Sequence, residues 1–230
     1  FGYYFVKSSQ GVVVSVDTTN RDVHVYDKNV YSSPFNPGTD DVPDEGEYLK
    51  KVIKVNDDED DSRVGDGHNT VTANIGDILT YNVTFNTSNY VVKKVDNNDE
   101  TKKVSFVYIN DSIGAGLDDA LNDSDNPLKV EVSGKSDPLS ASQSSFSTQE
   151  SADSPKYYLK GADNASPRVF TIVIPWLDEQ GNPVFDNDAV VKVTYSAKVN
   201  SDVGEVEGTT PAENSINAAR ITYDIVAPDG

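Results

Sequence analysis

Cysteine is absent from the 230-residue chain, which excludes disulfides and thiolate metal sites. Basic side chains are scarce: 19 Lys and Arg stand against 38 Asp and Glu, for a formal net charge of −19. That excess repels phosphate, so neither nucleic acid nor an anionic membrane surface is expected as a partner. No apolar run approaches the length of a membrane span, and no signal peptide is visible. The two histidines, His24 and His68, lie far apart without an HExxH-like context. Nothing resembles a nucleophile elbow or a His-containing triad, which argues against a hydrolase. There is no internal repeat, and no long segment carries a helical period.

What the chain does contain is short apolar runs rich in Val, Ile, Tyr and Phe, separated by turn residues. Examples are "GVVVSVD", "YLKKVIKV", "DILTYNVTF", "KKVSFVYIND", "RVFTIVIPWL", "VVKVTYSAKV" and "NAARITYDIV". About ten or more such strands predict an all-β, immunoglobulin-like antiparallel sandwich. The Pro-, Gly- and acid-rich stretch 31–47, "YSSPFNPGTDDVPDEGE", reads as a linker. It divides residues 1–40, the end of an N-terminal β domain plus linker, from one large domain over 41–230. The Ser-rich stretch 136–156 reads as a long surface loop. The opening "FGYYFVKSS" resembles the middle of a strand, so a trimmed fragment lacking its targeting and anchoring ends is expected.

Three stretches put polar side chains on apolar faces. In "YLKKVIKV" (48 to 55), alternation places Leu49, Lys51, Ile53 and Val55 together. In "KKVSFVYIND" (102 to 111), Val107 and Ile109 share a face with Asp111. In "NAARITYD" (217 to 224), Asn217 accompanies Ala219, Ile221 and Tyr223, opposite Arg220 and Thr222. A buried Lys, Asp and Asn in contact have a defined chemistry. Desolvation lowers the lysine pKa and raises that of the acid, so both become neutral. The amine is then a nucleophile, while the protonated carboxyl polarises the Asn carbonyl and shuttles protons. Ammonia leaves and a Lys–Asn isopeptide bond remains. Proximity in the fold is worth roughly 7–11 kcal/mol of barrier. No cofactor is required, and the event occurs once per molecule, so it is maturation and not enzymatic turnover.

These residues also carry a family resemblance. "LKKVIKVNDD…VTANIGDILTYNVTF" resembles the lysine-bearing first strand and "IGD-x-[VIL]-T-Y-x-V-T" motif of the major, backbone subunits of Gram-positive sortase-assembled pili. "YINDSIGAGL" (108 to 117) is similar to the family's "Y-x-I-x-D-x-[LIM]-x-x-G-L", and "NAARITYD" to its "N-x-A-x-[VI]-T-Y". The resemblance covers roughly residues 48 to 226. It implies a collagen-adhesin-type isopeptide domain with Lys51 and Asn217 as the cross-linked pair and Asp111 assisting. It further implies an extracellular, cell-wall-anchored pilus shaft whose subunits a pilus-class sortase joins through a lysine. "DVHVYDKN" (22 to 29) resembles the pilin motif, and the linking lysine falls on Lys28. Asp27 stands where the family has proline, no tryptophan precedes the motif, and no LPxTG-like signal or apolar tail follows the domain.

Each assignment has a plainer counterpart. Lys51 can be a strand-edge lysine snorkelling to water, and a one-residue slip hands its role to Lys50 or Lys54. Asp111 can open the turn at "SIGAG", Asn214 rivals Asn217, and Lys28 can be an ordinary surface lysine. The acidic run "NDDEDDS" (56 to 62) offers oxygen ligands for Ca²⁺ but lacks EF-hand spacing, so a solvated hairpin tip is expected there. A stalk or tip module of an adhesin binding a host surface ligand is the alternative function. A carbohydrate-active sandwich is the third, and no sequence signature supports it.

Overall fold

The computed structural model describes residues 2–6, 12–16, 35–36, 47–48, 51–56, 71–95, 98–121, 127–161, 168–204 and 217–226. The strands run β1 (Gly2–Val6), β2 (Val12–Val16), β3 (Phe35–Asn36), β4 (Glu47–Tyr48), β5 (Lys51–Val55), β6 (Ile78–Thr87), β7 (Tyr90–Val95) and β8 (Asn98–Ile113). They continue with β9 (Leu117–Asp119), β10 (Lys129–Val132), β11 (Ser140–Ser142), β12 (Lys156–Lys160), β13 (Arg168–Pro175), β14 (Ala189–Val199) and β15 (Asn217–Val226). There is no helix among the described residues, as the alternating pattern requires.

Two sheets make the sandwich. One runs β10-β14-β6-β3, with β5 also on β6 and β9 on β14. The other runs β11-β12-β13-β8-β15-β4, with β7 on β8. Among the described residues, strands β1 and β2 pair only with each other. Within 31–47, the expected linker, Phe35–Asn36 pairs with the end of β6, and Glu47 pairs with Arg220 of β15.

The core follows the two-residue period. Leu79, Tyr81, Val83 and Phe85 of β6 are buried together with Val191, Val193, Tyr195 and Ala197 of β14. From the other sheet, Val107, Ile109 and Ile113 of β8 and Phe170, Ile172 and Ile174 of β13 meet them in one cluster. Each such aliphatic or aromatic side chain contributes about 1.5–3 kcal/mol on burial.

Alternation breaks at two bulges. Asp224 pairs with Phe106 but Ile225 pairs with Val104, so Ser105 has no partner across β15. The extra residue lets Val104 and Val107 both turn inward. The Ser105 carbonyl accepts the backbone N–H of Trp176 at 2.8 Å. The second bulge lies in β5, between Val52 and Lys54.

The Ser-rich stretch is pinned down more than its composition predicts. Leu139 is buried, and β11 pairs in parallel with β12. Gln149, 1% exposed, donates through Nε2 to the carbonyls of Lys156 (2.8 Å) and Pro175 (2.9 Å) and accepts from the Lys156 N–H (2.9 Å). One satisfied buried amide anchors a segment whose average polarity reads as loop.

The turn after β8 depends on Gly116. A Cβ there would lie 2.2 Å from the Val203 Cα, and the Gly116 carbonyl accepts the Asn200 N–H at 2.9 Å. Gly116→Ala is expected to destabilise the fold by about 1–3 kcal/mol through overpacking. Denaturant unfolding followed by fluorescence of the single tryptophan, Trp176, measures it; an unchanged midpoint refutes the close approach.

Candidate functional site

The "NIGD" turn explains how β5 is held on β6. Gly76 takes a positive φ of 97°, which suits glycine. Asp77 then caps the turn, with Oδ2 accepting the Asn74 N–H at 2.8 Å and Oδ1 accepting Asn56 Nδ2 at 2.9 Å. Asn56, just after β5, adopts a left-handed φ of 49° that Asn tolerates. Its Oδ1 accepts the Ile78 N–H at 2.8 Å. The end of the lysine-bearing strand is thus clamped to the start of β6.

Asp111 lies in β8 between Phe170 of β13 and Ala219 of β15, and is 2% exposed. Asn217 opens β15 opposite Ile113. Because Ala219 faces Asp111, Asn217 sits on the adjacent diagonal of the same face, within reach of long side chains. Strand parity places both residues correctly on the inner face.

From the facing sheet come two tyrosines that sequence reasoning missed. Tyr195 and Tyr81 are register partners, with rings stacked at 5.5 Å and 22°. Phe170 meets the Tyr195 ring edge-on, at 5.5 Å and 87°. Asn217 Nδ2 donates to the Tyr195 hydroxyl oxygen at 2.9 Å, and that oxygen lies 3.2 Å from Asn217 Oδ1, to which its proton can be donated. The Tyr195 hydroxyl also hydrogen-bonds Asp111, and Tyr81 hydrogen-bonds Asn217. A signal did exist: "LTYNV" and "VTYSA" each put a tyrosine on the apolar parity of a central strand. A buried phenol needs a polar partner.

Burial holds both phenols neutral. It pushes Tyr195 well above the ordinary tyrosine value, reinforced by the Asp111 carboxyl and by Tyr81. Tyr81 is pushed up to about 12, chiefly by burial, with the Asn217 hydrogen bond opposing and Asp111 adding.

The lysine side of the site is set by the β5 bulge. Lys51 has Asn82 as its register partner, Val52 has Tyr81, Lys54 has Thr80 and Val55 has Leu79. Val52 and Val55 therefore both hold inward register positions, and a strict count of two across the strand does not carry through Ile53. Of Lys51 only this backbone register is described. Lys54 is half-buried. Lys50, Asn214, Lys28, the acidic run from 57 onward and both histidines lie outside the described residues. Among the described residues, no group of three or more His, Asp and Glu is placed to hold a metal ion.

The chain is thus an all-β, two-sheet sandwich with a polar Asp–Asn–Tyr cluster between its sheets, Asp111 and Tyr195 buried and Asn217 half-buried. No protein-family model matches it, and no curated protein does. Among solved structures it is similar to the group B streptococcus pilus 2b backbone protein, at 20% identity and a TM-score of 0.48, over 76% of this chain and 52% of that one. It is similar to the RrgB pilus backbone of Streptococcus pneumoniae at 18% identity and a TM-score of 0.42, over 79% and 52%. The T6 backbone pilin of serotype M6 Streptococcus pyogenes follows at 15% and 0.36, over 78% and 36%. The chain spans about half the length of the first two.

The neutral phenols make the fold alkali-sensitive. A raised pKa contributes stability that is complete below the unfolded tyrosine value and is lost as pH climbs through the folded one. Thermal midpoints are therefore expected to hold up to pH 10 and fall between 10 and about 12. Tyr81→Phe should flatten part of that fall, and an equal slope in the variant refutes the assignment.

Proposed function

We propose that this chain is a structural subunit of a covalently polymerised Gram-positive pilus shaft, locked internally by a self-made Lys–Asn217 isopeptide bond. The observation that carries the reading is the placement of buried Asp111 and half-buried Asn217 on one face of the adjacent strands β8 and β15, against the buried Tyr195 phenol. Burial disfavours charge on a lysine and a carboxyl brought together there. A neutral amine attacks the Asn217 carboxamide carbon, Asp111 moves protons, and ammonia departs. Lys51 is the proposed nucleophile on the family pattern, with Lys50 and Lys54 as the neighbours that peptide mapping separates. Counting from Val52, opposite Tyr81, gives Lys50 its claim.

The bond would tie the lysine-bearing stretch at β5 to β15, the last strand of the sandwich. In the entropy model developed for disulfides, closing a loop of that length is worth about 4–5 kcal/mol. Under tension the larger benefit is kinetic, because a covalent tie blocks unzipping. The same reading makes Lys28 the residue that a sortase joins to the next identical subunit, on the cell-wall-anchored surface of the bacterium.

Intact mass tests the internal bond. The wild-type chain is expected to be about 17 Da light, for loss of one ammonia. Asp111→Ala should restore full mass and lower the melting temperature; a wild-type chain at full mass removes the bond. For polymerisation, Lys28→Ala in sortase-positive cells should abolish the ladder of pilus polymers on a denaturing gel. Unchanged ladders remove the Lys28 assignment, and an absence of ladders from the wild type favours the adhesin-module reading.

A further inference from the structure

We propose that Tyr195 is a catalytic residue of the cross-linking reaction, its phenol donating the hydrogen bond that stabilises the oxyanion forming on Asn217. This rests on the isopeptide reading above and moves the carbonyl-polarising role from Asp111 to Tyr195.

One hydroxyl oxygen touches both ends of the carboxamide, 2.9 Å from Nδ2 and 3.2 Å from Oδ1. It also reaches the Asp111 carboxyl. The phenol has a single proton and two acceptors for it, Asp111 and Asn217 Oδ1. While Asp111 is a carboxylate it is the stronger acceptor. Once Asp111 takes up a proton, the phenol proton turns to Oδ1. That couples the two events the reaction needs at the same moment.

The steps balance. The neutral lysine nitrogen attacks Asn217 Cγ, forming the new C–N bond and placing negative charge on Oδ1. Asp111, protonated at the outset, gives its proton to Nδ2 and takes one from the attacking nitrogen, now cationic. Tyr195 donates to the oxyanion. The Cγ–Nδ2 bond breaks, ammonia leaves, and the carbonyl re-forms with Asp111 again a neutral carboxylic acid. Tyr195 returns unchanged and no other reactant is consumed.

The fold holds this donor rigidly, as an oxyanion donor must be held. Tyr195 is 1% exposed, stacked on Tyr81 and met edge-on by Phe170. Its hydroxyl is therefore fixed where charge develops, on a ring that is itself buried.

The test follows full-length chains made in a cell-free reaction, reading mass loss against time while Trp176 fluorescence reports folding. Tyr195→Phe is expected to fold yet lose its 17 Da about 10²–10³-fold more slowly than wild type, as for removal of one oxyanion donor. Mass loss at the wild-type rate overturns the proposal. Fluorotyrosine placed at position 195 keeps the ring and hydroxyl but makes a more acidic, stronger donor, so cross-linking at neutral pH should accelerate. A hydroxyl that merely supports the fold would leave that rate unchanged, and an unchanged or lower rate overturns the proposal even if Tyr195→Phe fails to fold. A wild-type chain at full mass overturns this inference together with the isopeptide reading. A light wild type with an indifferent Tyr195 overturns this inference alone.

Discussion

The contact between the Tyr195 hydroxyl and the Asp111–Asn217 pair is the constraint around which the sandwich is organised. A carboxyl and a carboxamide between two apolar sheets are costly unless their polar atoms are satisfied. For the Asn217 carboxamide, hydrogen bonding comes from across the core, from the Tyr195 hydroxyl of the opposite sheet. The interaction therefore also bridges the two sheets. Phe170 and Tyr81 pack against the Tyr195 ring, so its hydroxyl meets Asn217 from a buried position. A hydrogen bond in such surroundings is stronger than one in water, and its loss costs more.

Two bulges prepare this arrangement. The one at Ser105 shifts parity along β8, so that Val104 joins the core while the strand from Val107 to Ile113 keeps Asp111 facing inward. The one in β5 sets Val52 opposite Tyr81 and buried Val55 opposite Leu79. In each case an extra residue changes which side chains face the core without breaking the sheet. The Asn56–Asp77–Gly76 turn then secures β5 beside Tyr81, on the strand that carries half of the aromatic cover. The "NIGD" and "LTYNV" stretches are thus one mechanical unit: the first clamps the lysine-bearing strand and the second roofs the polar pair.

In a chain without cysteine, covalent reinforcement has to come from side chains that cross-link without an oxidant. The proposed bond meets that condition, since amide exchange needs only a dry site and a proton carrier. The acidic exterior is consistent with a solvated, repulsive surface around a β-rich core. Exposed strand edges invite unwanted pairing.

Much of this was legible in the sequence, and the reason is the strict two-residue period of strands. It identified the all-β class, the inward faces of β8 and β15, and Asp111 and Asn217 as polar residues on apolar faces. Parity is local, however, and fails wherever an extra residue enters a strand. The β5 bulge lies in the middle of "KKVIKV", so simple counting could not say which lysine register meets Tyr81. Composition likewise read 136–156 as loop, because a single buried glutamine barely alters the average of a Ser-rich stretch. The sequence by itself determined the all-β class and the inward faces of the regular stretches of strand, since alternation follows from backbone geometry alone wherever no extra residue enters. Only the tertiary structure decided that Tyr195 and Tyr81 cover Asn217 and Asp111, because that contact joins strands of different sheets and depends on how the two faces meet.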